Sequence, residues 1–340
     1  MSALRLRQRA VRLLQRFGRR PTLSDGLATL VSENRGAIAR LQVAVGGSQS
    51  PVPPPVRGLA GQFYVPSEVF RGVATGPYMA SSVPQLSDFL NPEFEAFLAE
   101  IGHRFQIHRK LWEFAYVTRQ LAQAGALAPG NTGLCFGAGE EPLPALLARR
   151  GCHIVATDAP LEIVAGSWVE TSQHAASIDK LIKPDILDAE TFRERVSFES
   201  CDMNRIPDHL TGFDFCWSAC CLEHLGSLQH GMDFVVNSIE KTLKPGGVAV
   251  HTTELNLSSD DDTLETEGLS LYRRRDLQGL IEELRRRGHE VAPLVLDPGT
   301  TAIDYYVDLP PFSQDPHIKL QLDRFVTTSV GLLARKRLSE

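Results

Sequence analysis

From Asn131 onward the sequence alternates between short apolar runs and longer amphipathic ones, and this restricts the fold more than any other feature. Strand-type runs fall at 134–136, 153–157, 196–199, 213–218, 248–253, 290–296 and 325–334. Helix-type segments separate several of them, at 141–150, 232–243 and 276–287. Successive parallel strands need crossover connections, and a helix is the usual one. The pattern therefore predicts an α/β domain over 129–340, with a Rossmann-like, doubly wound, seven-stranded sheet.

Upstream, residues 61–128 read as a helical cap. One helix starts at Asn91-Pro92 and runs to about Ile101; a second spans about Gln106 to Ala124 and is closed by Gly125. Residues 46–60 form a Pro-rich linker. Residues 1–45 read as a helical extension in two parts. Residues 1–20 carry seven arginines and no acid, which suits peripheral contact with an anionic membrane surface, an acidic partner or a transit peptide. Residues 22–43 place Leu23, Leu27, Leu30, Ala37 and Leu41 at heptad-like spacing with Asn34 in register, which suits a homodimer.

The net charge of −6 hides the basic start and leaves an acidic body. Nucleic acid is therefore not expected as a partner, since phosphate binding needs a basic face. No apolar run approaches the ~18 residues of a membrane span. The six cysteines lack metal-site spacing and mostly sit in strand-like runs, so they read as reduced thiols of a cytoplasmic protein, with the inner membrane face as an alternative location.

The chemistry concentrates after the strands. Gly133-Leu134-Cys135-Phe136-Gly137-Ala138-Gly139-Glu140-Glu141 puts two glycines where a strand turns into a helix and a ligand can approach the backbone. Asp158 ends the next strand, where an acid can accept from a ribose diol. Asp202-Met203-Asn204 follows the third strand, Ser218 ends the fourth, and Lys244-Pro245-Gly246-Gly247 makes a tight turn into the fifth. A third glycine is missing, and Glu140-Glu141 stands where a pyrophosphate would lie, so a dinucleotide is disfavoured.

Taken in order, FGAGEE, VATD, CDMN, FDFCWSACCLEHL and LKPGG resemble the class I S-adenosylmethionine (SAM)-dependent methyltransferases, over about residues 130–335. HRKLWE, HTTELNLSS and PHIKL are more closely similar to a bacterial group of that family whose acceptor is undefined. The resemblance implies a last strand that is antiparallel and SAM as cofactor, lying across the strands' C-terminal ends. It implies that Phe136, Gly137, Ala138 and Gly139 hold the methionine part, Asp158 the ribose, Asp202 and Met203 the adenine, and Ser218 the amino-acid end. Two positions depart from the pattern: Glu141 replaces the third glycine, and Cys135 replaces the acid of the first strand.

Methyl transfer to a hydroxyl often needs a base, and His224, Glu254 and His251 follow strand ends. Alternation along the fifth strand sends His251 and Glu254 to opposite faces. His108, Lys110, Trp112 and Tyr116 on the upstream helix are candidate acceptor contacts. The polar segment 255–271 is a candidate lid. Glu223-His224 resembles part of the E-x-x-E-H ligand set of some metal-using O-methyltransferases, but Cys220 stands at its first position, so no metal is expected. These features together predict O-methylation of a small molecule or a glycan. The rival readings are a nucleotide-dependent oxidoreductase and a SAM-binding scaffold without turnover.

Overall fold

The computed structural model describes residues 78–163 and 174–338. The expected basic helix, dimer helix, linker and first part of the cap, residues 1–77, lie outside the described residues.

Among the described residues three helices precede the sheet: α1 (Leu86–Phe89), α2 (Pro92–Glu100) and α3 (Arg109–Gln123). Asn91 caps α2, its Oδ1 accepting from Glu93 N at 2.9 Å, and Pro92 fills the first turn, where no backbone donor is needed. His108 caps α3 through Nδ1, which accepts from Lys110 N at 3.1 Å. Thereafter come β1 (Thr132–Phe136), α4 (Leu143–Arg149), β2 (His153–Asp158), α5 (Ala189–Arg195), β3 (Val196–Ser200), β4 (Phe213–Ala219) and α6 (Leu228–Asn237). The chain closes with β5 (Leu243–Asn256), α7 (Arg274–Arg286), β6 (Glu290–Val291), β7 (Val307–Asp308), β8 (Lys319–Leu322) and β9 (Phe325–Arg335).

The nine strands among the described residues form one sheet, against the seven expected, in the order β3-β2-β1-β4-β5-β9-β8-β7, with β6 pairing β9 off this path. β3 through β5 run parallel, and β9 pairs antiparallel with β5 from Val248↔Arg335 to Asn256↔Thr327. The fold is the expected Rossmann-like α/β sheet with its last strand antiparallel. The order reverses at β1, whose neighbours are β2 and β4, so a crevice opens beyond the C-terminal ends of these strands.

Three features of the sheet differ from the sequence pattern. The expected strand 290–296 shrinks to two residues, because Pro293 has no N–H to continue the ladder. Beyond it the chain leaves β9 and pairs with residues before α1, Ser82 N donating to Val295 O at 2.6 Å. β8, absent from the sequence reading, covers the other half of the β9 edge. The Lys244–Gly247 turn is held inside β5: Phe213 pairs with Leu243 but Phe215 with Val248, so the turn bulges out of register, with Gly246 at φ +78°.

The segment after β5 is not a free flap as expected of a lid. Leu257, Leu271 and Tyr272 are fully buried, Asn256 Nδ2 donates to Asp262 O at 3.0 Å, and Ser270 N donates to Glu223 O at 2.8 Å. All six cysteines are free thiols. Among the described residues no helix is long and apolar enough to cross a membrane.

Candidate active site

A cleft of about 1300 Å³ lies over the C-terminal ends of β1, β2, β4 and β5. That exceeds the usual volume of a single small-ligand pocket, roughly 300–1,000 Å³. One wall is the turn after β1. Gly137 and Gly139 have φ of +62° and +50°, a region that costs a side chain energy. At Gly137 a Cβ would also meet Cys221 Sγ at 2.5 Å. Asp158, at the end of β2, ties this turn down: its Oδ2 accepts from Gly139 N and Ala175 N, each at 2.9 Å, and its Oδ1 from Ala159 N at 2.8 Å. An ionised carboxylate has about four acceptor positions, so three such bonds leave room for one more donor from the cleft. Asp202 and Met203 line the same wall, Asp202 Oδ1 accepting from Asn204 N at 2.9 Å.

The two departures noted in the sequence meet here. Glu141 turns inward, is nearly buried, and receives Trp217 Nε1–H at 2.7 Å and the Cys135 thiol at 3.4 Å, both on Oε1. Burial raises its pKa to about 7, against the lowering effect of those two hydrogen bonds. A carboxylate missing from β1 is thus supplied from the turn between β1 and α4. The sequence carried no signal for this, because the six-residue reach from Cys135 to Glu141 spans a turn.

The opposite wall starts with α3. Arg109 forms an ion pair with Glu254, at the end of β5, lies 3.5 Å from Glu113, and donates to Ser329 Oγ at 3.1 Å. Lys110 Nζ lies 2.7 Å from Glu113 Oε2 and donates to Ala219 O at 3.2 Å. Glu113 is fully buried and also receives the Ser329 hydroxyl. Burial raises its pKa, but Lys110 and Arg109 outweigh this and bring it down to about 2. Arg109 was not expected as a site residue, although its i, i+4 spacing from Glu113 on the helix announced a pair.

Of the expected acceptor contacts, His108 and Lys110 line the cleft, while Trp112 and Tyr116 do not. Trp112 is completely buried, donates to Asp88 Oδ2 at 2.8 Å and stacks on Tyr116 at 4.8 Å; Tyr116 packs against Gly331 of β9. Helical spacing puts residues 112 and 116 on the sheet-facing stripe of α3. Of the expected cofactor contacts, Gly137, Ala138, Gly139, Asp158, Asp202 and Met203 line the cleft. Phe136 and Ser218 lie beneath it, Phe136 against Phe234 at 5.0 Å and Ser218 against His251.

Of the candidate bases, Glu254 and His224 line the cleft. His224 Nδ1 is 2.7 Å from Gly268 O. His251 points away from it: the strand alternation sends it toward α6, where it is buried between Ser218 Oγ at 2.8 Å and Ser238 Oγ at 3.0 Å. Burial lowers its pKa to about 3, so it is a neutral core residue.

Cys220 Sγ, Glu223 and Glu254 place potential metal-ligating atoms within 4.8 Å of one another. The positive charge there comes from the protein itself, since Arg109 pairs with Glu254 and its Nη1 lies 3.9 Å from Cys220 Sγ. Burial also keeps the Cys220 thiol protonated. A thiol and a guanidinium-bound carboxylate are poor ligands for a hard cation.

No protein-family model matches this sequence, and no curated protein does. Among solved structures it is similar to the [4+2]-cyclase SpnF, with 17% identity over 79% of this chain and 99% of that one, at a TM-score of 0.43. The methyltransferase domain of a bacterial Hen1 is 17% identical over 65% of this chain and 96% of that one, at a TM-score of 0.39. An O-methyltransferase family protein from Burkholderia thailandensis is 13% identical over 76% and 68%, at a TM-score of 0.37.

Proposed function

We propose that this chain is a SAM-dependent methyltransferase that acts on a hydroxyl of a small molecule or a glycan. The observation that carries the reading is the acidic glycine turn at the switch point: Glu140, Glu141, Asp158 and Asp202 all line the cleft beside Gly137–Gly139. A dinucleotide would bring its pyrophosphate against Glu140 and Glu141, and like charges at short range repel. SAM brings a sulfonium and an ammonium, which the same groups attract. The antiparallel β9 also departs from the six parallel strands that a dinucleotide-binding sheet would have.

Glu141 is suited to the ammonium, Asp158 to a ribose hydroxyl through its remaining acceptor position, and Asp202 with Met203 to the adenine edge and face. The acceptor then takes the part of the cleft bounded by His108, Arg109 and Glu254. Because Arg109 and Lys110 are already paired with Glu254 and Glu113, that part offers no surplus cation for an anionic acceptor, which favours an uncharged hydroxyl. Transfer is an in-line displacement, so catalysis rests on holding oxygen, methyl and sulfur in line and on accepting the oxygen's proton.

Titration calorimetry with SAM, S-adenosylhomocysteine and NAD tests the reading. SAM and its product should bind and NAD should not; NAD binding without SAM binding would sink it. Transfer of tritiated methyl from SAM into separated small-molecule, glycan and lipid pools then identifies the acceptor class, and SAM binding with no transfer into any pool would favour a scaffold.

A further inference from the structure

One wall of the cleft carries an imidazole braced by a buried carboxylate. Asp308, in β7, is buried, and its Oδ1 accepts from Ser313 N at 2.8 Å and Ser313 Oγ at 2.9 Å. Its Oδ2 accepts from Gln314 N at 2.9 Å and lies 2.7 Å from His317 Nδ1. Three donors from the 313–314 turn hold the carboxylate ionised, so the nitrogen facing it carries the proton. The ring is fixed on its other sides as well. It stacks on His108 at 4.6 Å and meets Phe312 edge-on at 5.5 Å. Its backbone pairs with the start of α3, His317 N donating to Ile107 O at 2.7 Å and Arg109 N to His317 O at 3.0 Å. Nε2 is left with no hydrogen-bond partner among the described residues, on a side chain that lines the cleft.

Resting on the methyltransferase reading, we propose that His317, oriented by Asp308, is the general base that takes the proton from the acceptor hydroxyl. In the step, the O–H proton passes to Nε2 while the oxygen attacks the methyl carbon. The carbon–sulfur bond breaks, its electron pair stays on sulfur, and the products are the methyl ether, S-adenosylhomocysteine and an imidazolium that later loses its proton to water. Asp308 stabilises that imidazolium across Nδ1. The charged and titratable groups that face the ring are Asp308, Arg109, Glu254 and His108. Burial lowers the His317 pKa below the usual histidine value despite the Asp308 bond, so the free enzyme presents a neutral imidazole at pH 7. The Nδ1 of His224, by contrast, faces a backbone carbonyl, Gly268 O at 2.7 Å, and not a carboxylate. A braced base is chemistry for a hydroxyl, since a thiolate or a free amine needs no proton removed before attack.

The test uses the full chain with His317→Gln, Asp308→Asn and His224→Gln, tritiated SAM, and the acceptor pool that the wild type labels. His317→Gln should keep SAM affinity within about threefold and lose roughly 10²–10⁴-fold in transfer rate. Asp308→Asn should also lose rate, and nitrogen-15 spectra of labelled histidine should show its His317 proton moved from Nδ1 to Nε2, a change a merely structural role would not produce. The acid limb of the pH–rate profile should belong to His317 and vanish in His317→Gln, while His224→Gln keeps the wild-type limb. Wild-type rate and limb in His317→Gln overturn the base assignment alone, as does an unmoved tautomer in Asp308→Asn. Wild-type protein that binds no SAM, or binds it and labels nothing, overturns the methyltransferase reading and the base with it.

Discussion

Cys135 and Glu141 meet side chain to side chain, the thiol donating to Glu141 Oε1 across 3.4 Å beside the glycine turn. Read singly, each residue is an irregularity: a strand without its acid and a turn without its third glycine. Together they are one arrangement, in which the turn before α4 returns a carboxylate to the place the strand leaves without one.

That carboxylate makes stability depend on pH in a stated direction. Burial raises the Glu141 pKa to about 7 in the fold, against 4.5 unperturbed, so the fold favours the protonated form. The stability it contributes is therefore present below pH 4.5 and is lost as the pH rises through 7, by roughly 3 kcal/mol. Glu141→Gln should be flat over that window and more stable than wild type at pH 8, as read by urea unfolding. SAM binding near pH 7 should release protons from Glu141 as the ammonium draws it into its ionised form, whereas Glu141→Gln releases none. Calorimetry in buffers of different ionisation enthalpy measures this, and proton uptake by the wild type would refute the pairing.

Glu113 is the hinge of the buried charge network on α3. Replacing it with Gln leaves Lys110 and Arg109 without their shared counter-charge while Glu254 still holds Arg109. Removing one partner of a buried pair costs about 3–5 kcal/mol. Because Lys110 is more than a third exposed and Arg109 keeps Glu254, thermal unfolding of Glu113→Gln should show a loss below that range but clearly above the near-neutral behaviour of Arg193→Gln, whose partner Asp179 is exposed.

The fold was legible because strand and helix periods differ and the glycine turn marks where one becomes the other. The parallel strands β1 to β5 and the order of motifs needed no more than that. What the sequence hid came from contacts between distant segments. Pro293 truncates β6, but nothing local says that residues 319–322 take over its edge. Trp112 and Tyr116 look like pocket residues by type, yet their helical phase aims them at the sheet, while the neighbouring Arg109 and Lys110 reach the cleft. Asp308 and His317 are nine positions apart in an irregular stretch with no periodicity, and only the turn at 313–314 brings them together.

The glycine turn separates steric from conformational cost. In Gly137→Ala the new Cβ would meet Cys221 Sγ at 2.5 Å, and φ of +62° disfavours any side chain. Changing Cys221 to Gly as well removes both Sγ and the Cβ that would stand at 3.1 Å, and should restore part of the stability lost, leaving a backbone penalty at 137 of about 1 kcal/mol. The restored fold should still bind SAM more weakly than wild type, because the methyl group remains on the turn. A double-mutant cycle by denaturation and calorimetry reads both; full recovery of stability would show that the backbone is not strained.

His251 and Glu254 lie three residues apart on β5 and should behave as different kinds of residue. His251 sits under the sheet between Ser218 and Ser238, so His251→Leu orphans the Ser218 hydroxyl and should cost about 1–3 kcal/mol of stability. Its SAM affinity and methyl-transfer rate should stay within about threefold of wild type at a temperature where it is folded. Glu254 lines the cleft, pairs with Arg109 and accepts from Thr327 Oγ1 at 2.8 Å. Glu254→Gln keeps the hydrogen bond but frees the Arg109 charge into the acceptor side, where it should lower transfer to a neutral acceptor by roughly tenfold or more, about 1.4 kcal/mol in transition-state terms. Measuring both variants at one pH, with unfolding and labelled transfer side by side, decides it. A His251→Leu protein that is stable yet inactive would reverse the assignment and place the chemistry on the other face of the strand.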